Sequence, residues 1–153
     1  MRLWKGGASM AKFFNPDISQ LVQCMTQAKL FRLAWEKGYR MEEFIPAFMN
    51  SRAAEGLDAD YDRMQWAGEA YILNSVVREH RLFPEIKPGP QNPEALYWAG
   101  YIYRYWHYLT GESSVEIFKT AGYPYILEVY AGYHTFVNQE LAVMKMKERV
   151  VAA

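Results

Sequence analysis

The side chains best suited to binding lie in one stretch of the chain, between residues 97 and 136. Of the 25 Phe, Trp and Tyr residues in the sequence, 13 fall within these 40 positions. Tyr, Trp and Arg dominate the binding energy of protein interfaces, because they bring a large contact area at modest entropic cost. The same aromatic residues also suit a buried core whose hydroxyl groups find hydrogen-bond acceptors. We predict that part of this stretch forms a partner-binding face, with four candidate residues: Tyr101, Arg104, His107 and Tyr133.

Arg104 is surrounded in the sequence by tyrosines. A guanidinium in such a setting most often stacks on the rings and pairs with a carboxylate. The alternative is a contact with an anion or with an acidic partner. Four glutamates are candidates for the pairing carboxylate: Glu69, Glu94, Glu116 and Glu128.

The histidines and the single cysteine do not form a recognisable catalytic or metal-binding motif. No histidine has a second one at a helical offset of three or four residues, and there is no glycine-rich phosphate loop. Cys24 lies among apolar residues and is predicted to be a small buried hydrophobe, and one cysteine excludes an internal disulfide framework. We expect no catalytic residue, metal or cofactor. An acid–base pair of His107 and His134 with Glu128 remains an alternative.

A DNA-binding helix-turn-helix is a further alternative. Residues 92–109 and 113–121 are predicted helices joined by Thr110-Gly111-Glu112, which is the outline of this motif. The second helix, however, lacks Arg, Asn and Gln, the residues that pair bidentately with bases. The 17 Lys and Arg residues of the chain are also balanced by 17 Asp and Glu residues. We therefore do not expect nucleic acid to be the partner.

Local start and stop signals divide the chain into helices. Asp17 is a predicted N-cap, and Asn92 followed by Pro93 is a second strong start signal. Ser113 and Glu116 form a capping box. The predicted helical segments cover residues 17–38, 41–54 with an interruption at Pro46, 58 or 60 to 79, 92–109, 113–121 and 138–150, with a turn-rich segment before Gly132.

These helices predict an all-α fold: a compact single-domain bundle of five to seven helices around a central aromatic-rich helix at about 92–109. A loop at 83–93 contains four prolines and separates the two halves. In the first helix, a set of apolar residues recurs mostly at three- and four-residue spacing and predicts the buried face. This set comprises Ile18, Leu21, Val22, Met25, Ala28 and Ala34.

The N-terminal stretch differs in character from the rest of the chain. Residues 1–24 are interpreted as an arm, and the methionines at positions 1, 10 and 25 suggest that it is a translation extension or only partly ordered. The domain proper would then cover residues 25–150. No stretch of about 18 apolar residues predicts a membrane span, and no signal peptide is recognisable, so a cytoplasmic location is expected.

Several segments resemble a family of small uncharacterised all-helical proteins of gut Firmicutes. The likeness covers about residues 26 to 148, and it rests on the runs 97–114 (YWAGYIYRYWHYLTGESS), 48–51 (FMNS), 65–69 (QWAGE) and 132–135 (GYHT). Members of that family are encoded beside toxin-like genes, some of them similar to ADP-ribosyltransferases. The resemblance implies an antitoxin-like or accessory role and brings no catalytic residues.

The leading hypothesis is a small cytosolic module that binds another protein, such as a toxin-like enzyme encoded nearby. It rests on the density of interface-type aromatic residues and the lack of a catalytic motif. A helix-turn-helix regulator and an enzyme using His107 or His134 are the two alternatives. The partner and the oligomeric state are left open at this stage.

Overall fold

The computed structural model describes residues 14–136 and 138–152, and all regular secondary structure in these ranges is helical. This confirms the predicted all-α fold. A 3₁₀ turn at Arg63–Trp66 joins the third and fourth helices. The described residues form nine α-helices: α1 (Ile18–Glu36), α2 (Met41–Met49), α3 (Arg52–Asp58), α4 (Glu69–His80), α5 (Pro93–Thr110), α6 (Ser114–Thr120), α7 (Tyr125–Glu128), α8 (Tyr130–Tyr133) and α9 (Gln139–Ala152).

The predicted helix starts at Asp17, Asn92 and Ser113 are confirmed by their capping hydrogen bonds. An Asp17 carboxylate oxygen accepts from the Gln20 backbone N–H at 2.8 Å, and the Gln20 side chain accepts from the Asp17 N–H at 3.0 Å. The Asn92 side chain caps α5, and Ser113 forms the predicted capping box at the start of α6. Each cap satisfies donors that the first helical turn leaves without a partner.

The helix count exceeds the prediction because one predicted helix is divided and the segment predicted as turn-rich contains two short helices, α7 and α8. The segment 41–54 breaks at residues 50 and 51, where Ser51 caps a new helix by accepting from the Ala54 N–H at 3.0 Å. The helix start predicted at Asp58 or Asp60 is wrong, because Asp58 is the last residue of α3. Gly68 is the N-cap of α4.

Helices α1 and α5 are packed against each other at the centre of the domain, and α5 also contacts α6, α7, α8 and α9. The prediction of a central aromatic helix is therefore confirmed. Gly100 permits the close approach of α1: a Cβ atom at this position would lie 2.5 Å from the Gln27 carbonyl oxygen and 2.9 Å from the Ala28 Cα. In the described part of the chain, no helix combines the length and apolarity needed to cross a membrane.

The buried face of α1 differs from the prediction. Ile18, Val22 and Met25 are exposed, whereas Cys24 and Phe31 are completely buried. Ala28 and Ala34 are completely buried, as predicted. The helix is apolar on more than one side, so spacing alone selected some of its residues wrongly. The predicted boundary at residues 24 and 25 falls within α1, which begins at Ile18. Residues 1–13, the rest of the predicted arm, lie outside the described residues.

The proline-rich loop is confirmed as non-helical and is attached to the end of α1. The Glu85 N–H donates to the Gly38 carbonyl at 2.8 Å, and the Trp35 indole N–H donates to the Gly89 carbonyl at 3.0 Å. Gly38 has φ of +93°, and a Cβ atom there would collide with the Glu85 carbonyl. Glycine is therefore required where the loop crosses the end of α1.

Candidate functional site

Arg104 lies inside the domain, with 1% of its surface exposed. Its guanidinium donates from Nε to the Gln27 side-chain oxygen at 2.8 Å, from Nη1 to Asp58 Oδ1 at 2.7 Å and from Nη2 to Ser114 Oγ at 3.3 Å. The prediction that Arg104 binds a partner is therefore wrong, because the folded chain encloses its charge. The interpretation of Arg104 as a structural arginine paired with a carboxylate is confirmed.

The carboxylate that pairs with Arg104 belongs to Asp58 and to none of the four predicted glutamates. Asp58 Oδ2 also accepts from the Ser114 backbone N–H at 2.7 Å, and its Oδ1 accepts from the Ser114 hydroxyl at 2.9 Å. We call Gln27, Asp58, Arg104, His107 and Ser114 the buried polar cluster. Its residues join α1, α3, α5 and α6. Their hydrogen bonds satisfy polar groups that burial would otherwise leave unpaired.

His107 lies at the edge of this cluster, with 13% of its side chain exposed. Its Nδ1 is 2.6 Å from the Glu112 carbonyl oxygen and 3.7 Å from Asp58 Oδ1. Since a carbonyl only accepts hydrogen bonds, Nδ1 carries the proton and donates to it. Burial, and then the charge of Arg104, lower the pKa of His107. The ring is therefore neutral at pH 7 and serves to hold the α5–α6 connection.

His134 has different surroundings from His107. Its ring stacks on Tyr130 with centroids 4.1 Å apart, beside Trp98. Trp98 and His107 are separated by nine residues of α5, which is about 2.5 turns and places them on opposite faces of the helix. The structure therefore does not bring His107 and His134 together as an acid–base pair.

Tyr101 and Tyr133, the other two predicted site residues, are both partly buried. The Tyr133 ring stacks on Phe136 with centroids 5.2 Å apart, at the end of α8. Tyr101 stacks on Tyr105 with centroids 6.5 Å apart and faces an open groove between helices. Of the four predicted residues, Tyr101 is the one that lines this groove.

We call this feature the aromatic groove. It has a volume of about 360 Å³, and its walls come from α1, α5, α8 and the start of α9. Its lining combines five aromatic rings with one basic, one acidic and one amide side chain. The lining residues are Tyr97, Trp98, Tyr101, Tyr130, His134, Arg32, Glu94 and Gln139.

Helical spacing explains how the rings converge. Tyr97 and Tyr101 are four residues apart on α5, and Tyr130 and His134 have the same spacing at α8, so each pair lies on one face. The Trp98 ring meets Tyr130 edge-on with centroids 5.9 Å apart. Burial, and then the charge of Glu94, raise the pKa of Tyr130. Its hydroxyl therefore stays protonated and can donate a hydrogen bond at neutral pH.

A second exposed surface lies on the outer side of α1. We call Ile18, Val22, Met25 and Trp66 the apolar ridge, and Trp66 is its most exposed member at 90%. Val22 and Trp66 border a cavity of about 500 Å³. The Gln23 side-chain amide donates to the Gln65 carbonyl and so attaches the 3₁₀ turn to α1.

Helix α6 is anchored in the domain by one face. Ser114 and Ile117 are buried, and both the N–H and the hydroxyl of Ser114 are bound to Asp58. The exposed side chains of α6 include Val115, Glu116 and Lys119. In a DNA-binding helix-turn-helix, the N-terminal end of the second helix enters the major groove of DNA. Here that end of α6 carries a carboxylate, and its hydrogen-bond donors are bound within the domain.

Cys24 is completely buried, as predicted, and burial raises the pKa of its thiol to about 12. A thiolate nucleophile at neutral pH is therefore not formed here. Within residues 14–136 and 138–152, no group of three or more His, Cys, Asp and Glu side chains is arranged to hold a metal ion.

Several groove residues were not identified from the sequence. Trp98 and Tyr101 share a face of α5 with Glu94, and this spacing was a usable local signal. Arg32, Tyr130 and His134 come from distant parts of the chain, and no local pattern connects them. Comparison with known protein families, curated proteins and solved structures finds no significant match to this chain.

Proposed function

We propose that the protein is a small cytoplasmic binding module that docks another protein in the aromatic groove. The observation that carries the proposal is the convergence of five aromatic rings around an accessible groove that also contains Arg32 and Glu94. Aromatic residues with an adjacent arginine are the composition of binding hot spots. Rings held by a helix also lose little conformational entropy when a partner covers them.

The shape of the surface favours a protein partner over a small ligand. A second cavity of about 380 Å³ continues from the groove, lined by Phe14, Leu21 and Tyr105 among others. The two cavities share Tyr101 and Gln139. An extended channel of this kind accommodates several consecutive side chains, and the surface around it can supply the area of roughly 800 Å² per partner that stable complexes bury.

The partner we propose is a toxin-like enzyme encoded near this gene, which the module neutralises by occupying its surface. This identification rests on the resemblance of residues 26 to 148 to proteins encoded beside toxin-like genes. It also agrees with the structural roles of His107 and Cys24, because an inhibitor needs a complementary surface and no catalytic groups of its own.

The two alternative functions receive less support from the geometry. A DNA-binding regulator needs base-contacting side chains on the exposed face of its recognition helix, whereas this face of α6 carries Val115, Glu116 and Lys119. An enzyme using the two histidines needs them in one site, whereas His107 belongs to the buried polar cluster and His134 to the aromatic groove.

Co-expression of the tagged full chain with each gene encoded beside it tests the proposal. We expect one neighbour to co-purify, and to inhibit growth when it is expressed alone. Tyr101→Ala should weaken the complex by at least about tenfold, because aromatic hot-spot truncations cost on the order of 2 kcal/mol. The affinity is measured by isothermal titration calorimetry, and circular dichroism checks that the variant folds.

Tyr61→Ala is the matched control, since Tyr61 is an exposed tyrosine outside the groove. It should leave the affinity unchanged. Recovery of only the free protein with every neighbour would refute the proposed partner. A complex that tolerates Tyr101→Ala but is lost in Trp66→Ala would place the interface on the apolar ridge instead.

A further inference from the structure

The charges around the aromatic groove favour a positively charged occupant. The faces of aromatic rings carry partial negative charge, and Tyr97, Trp98, Tyr101 and Tyr130 all line the groove. The Glu94 carboxylate adds a full negative charge to the same lining. A cation that enters between these rings therefore meets both attractive ring faces and a counter-ion.

Glu94 is available to a partner. Among the described residues, no lysine, arginine or histidine nitrogen lies within salt-bridge distance of its carboxylate. Its charge contributes to the raised pKa of Tyr130, and both residues line the groove. A carboxylate has about four acceptor positions that can receive hydrogen bonds from a cationic group.

Arg32 is the positive residue of the lining, and it is already engaged with a ring. Its guanidinium carbon lies 4.9 Å from the centroid of Tyr97, which is a cation–π contact. The chain's own arginine thus shows that a ring of this groove accommodates a guanidinium. Trp98 remains for a second cation, together with the faces of Tyr101 and Tyr130 that are not stacked on Tyr105 and His134. An anion attracted by Arg32 would instead face the negative sides of the rings.

We propose that the aromatic groove receives an arginine or lysine side chain of the partner, with Glu94 as its counter-ion. This inference rests on the proposed function and specifies the chemistry of the partner. Trp98, Tyr101 and Tyr130 would contact the cationic group, and the alkyl stem would lie along the rings.

The test uses a blocked tripeptide, acetyl-Gly-Arg-Gly-amide, titrated into the full chain. Binding is followed by NMR from the Trp98 indole N–H and the backbone amides of α5. The matched probe replaces arginine by citrulline, which has the same shape without the charge. We expect saturable shifts with arginine in the millimolar range, and an affinity for citrulline lower by about tenfold.

Two charge-removing variants of exposed residues decide the sign of the interaction. Glu94→Gln should weaken arginine binding by about tenfold, because it removes the counter-ion. Arg32→Gln should leave it unchanged or tighten it, because it removes a like charge and frees the Tyr97 ring. Equal binding of arginine and citrulline, no saturable shift, or no effect of Glu94→Gln would each overturn the inference. So would loss of binding in Arg32→Gln with gain of binding for acetyl-Gly-Asp-Gly-amide.

The outcomes also separate this inference from the proposed function. A partner complex that depends on Tyr101, combined with no charge preference of the tripeptides, would keep the docking site and remove the cationic contact. Arginine binding in the groove, combined with a partner complex that tolerates Tyr101→Ala, would keep the cation site and remove the docking role.

Discussion

Arg104 and Asp58 are the two residues on which the junction of four helices depends. Their ion pair is enclosed, with 1% and 13% of the side chains exposed. Charges removed from water in this way are tolerated only when each keeps its partner, since an unpaired buried charge is costly. The need for a carboxylate beside Arg104 followed from the sequence. The choice of Asp58 did not, because 46 residues separate the two positions.

Asp58→Ala should lower the free energy of unfolding by about 3–5 kcal/mol, because it leaves the Arg104 guanidinium without a counter-ion and also frees the Ser114 N–H. The measurement is urea denaturation at pH 7, followed by circular dichroism. Asp58→Asn keeps an acceptor for Ser114 and should lose less stability, so it provides a second variant if Asp58→Ala does not fold.

Asp60→Ala is the control, since Asp60 is an exposed carboxylate two residues along the chain. It should change the free energy of unfolding by no more than about 0.5 kcal/mol. Equal losses in the Asp58 and Asp60 variants would contradict the role assigned to the buried pair.

At the scale of secondary structure, the domain is organised around the packing of α1 against α5. Their backbones approach closely at Gly100, and the Gln27 side-chain amide donates to the Gly100 carbonyl at 3.0 Å. The sequence predicted both helices and the N-caps of both, because capping is local. It did not predict their contact point, because a glycine within a helix carries no local signal for what lies against it.

Gly100→Ala should lower the free energy of unfolding by about 1–3 kcal/mol, because the added methyl group would push α1 away from α5. This loss opposes the gain in helix propensity that alanine normally brings. Thermal and urea unfolding both measure the change.

Gly132→Ala is the matched control within α8, where an added Cβ meets no atom within 4 Å. Its free energy of unfolding should be unchanged or slightly higher, by up to about 1 kcal/mol. A Gly100→Ala protein as stable as the Gly132→Ala protein would contradict the close helix approach.

At the scale of the whole molecule, the central position of α5 divides its aromatic residues between two environments. Tyr103 and Trp106 are buried in the core, whereas Tyr97, Trp98 and Tyr101 line the groove. The aromatic-rich stretch is interpreted both as a core and as a binding face. These two interpretations therefore describe opposite sides of one helix. The stability of the domain at acidic pH also depends on a residue of α5, His107.

The stability of the domain should fall as the pH drops below 6.5, the ordinary pKa of histidine. The pKa of His107 is lower in the folded chain, so the unfolded chain binds more protons in this range and is favoured by acid. A difference of one between the folded and unfolded pKa values corresponds to about 1.4 kcal/mol. The measurement is the free energy of unfolding in urea from pH 8 to pH 5.

His107→Gln should flatten this curve between pH 6.5 and pH 5, since it removes the titrating group. At pH 8 the difference between the two proteins should be constant, because the imidazole is neutral in both the folded and the unfolded chain. Parallel curves for the two proteins across the acid range would show that His107 does not contribute.

The sequence by itself determined the helical class of this protein, the helix starts at Asp17, Asn92 and Ser113, and the central place of the aromatic helix. These features follow from caps and periodicity, which act over a few residues. Only the tertiary structure decided that Asp58 pairs with Arg104, that Ile18 and Val22 face outward, and which aromatic residues form a groove. Each of these depends on contacts between distant segments, and packing selects among faces that local spacing leaves equivalent.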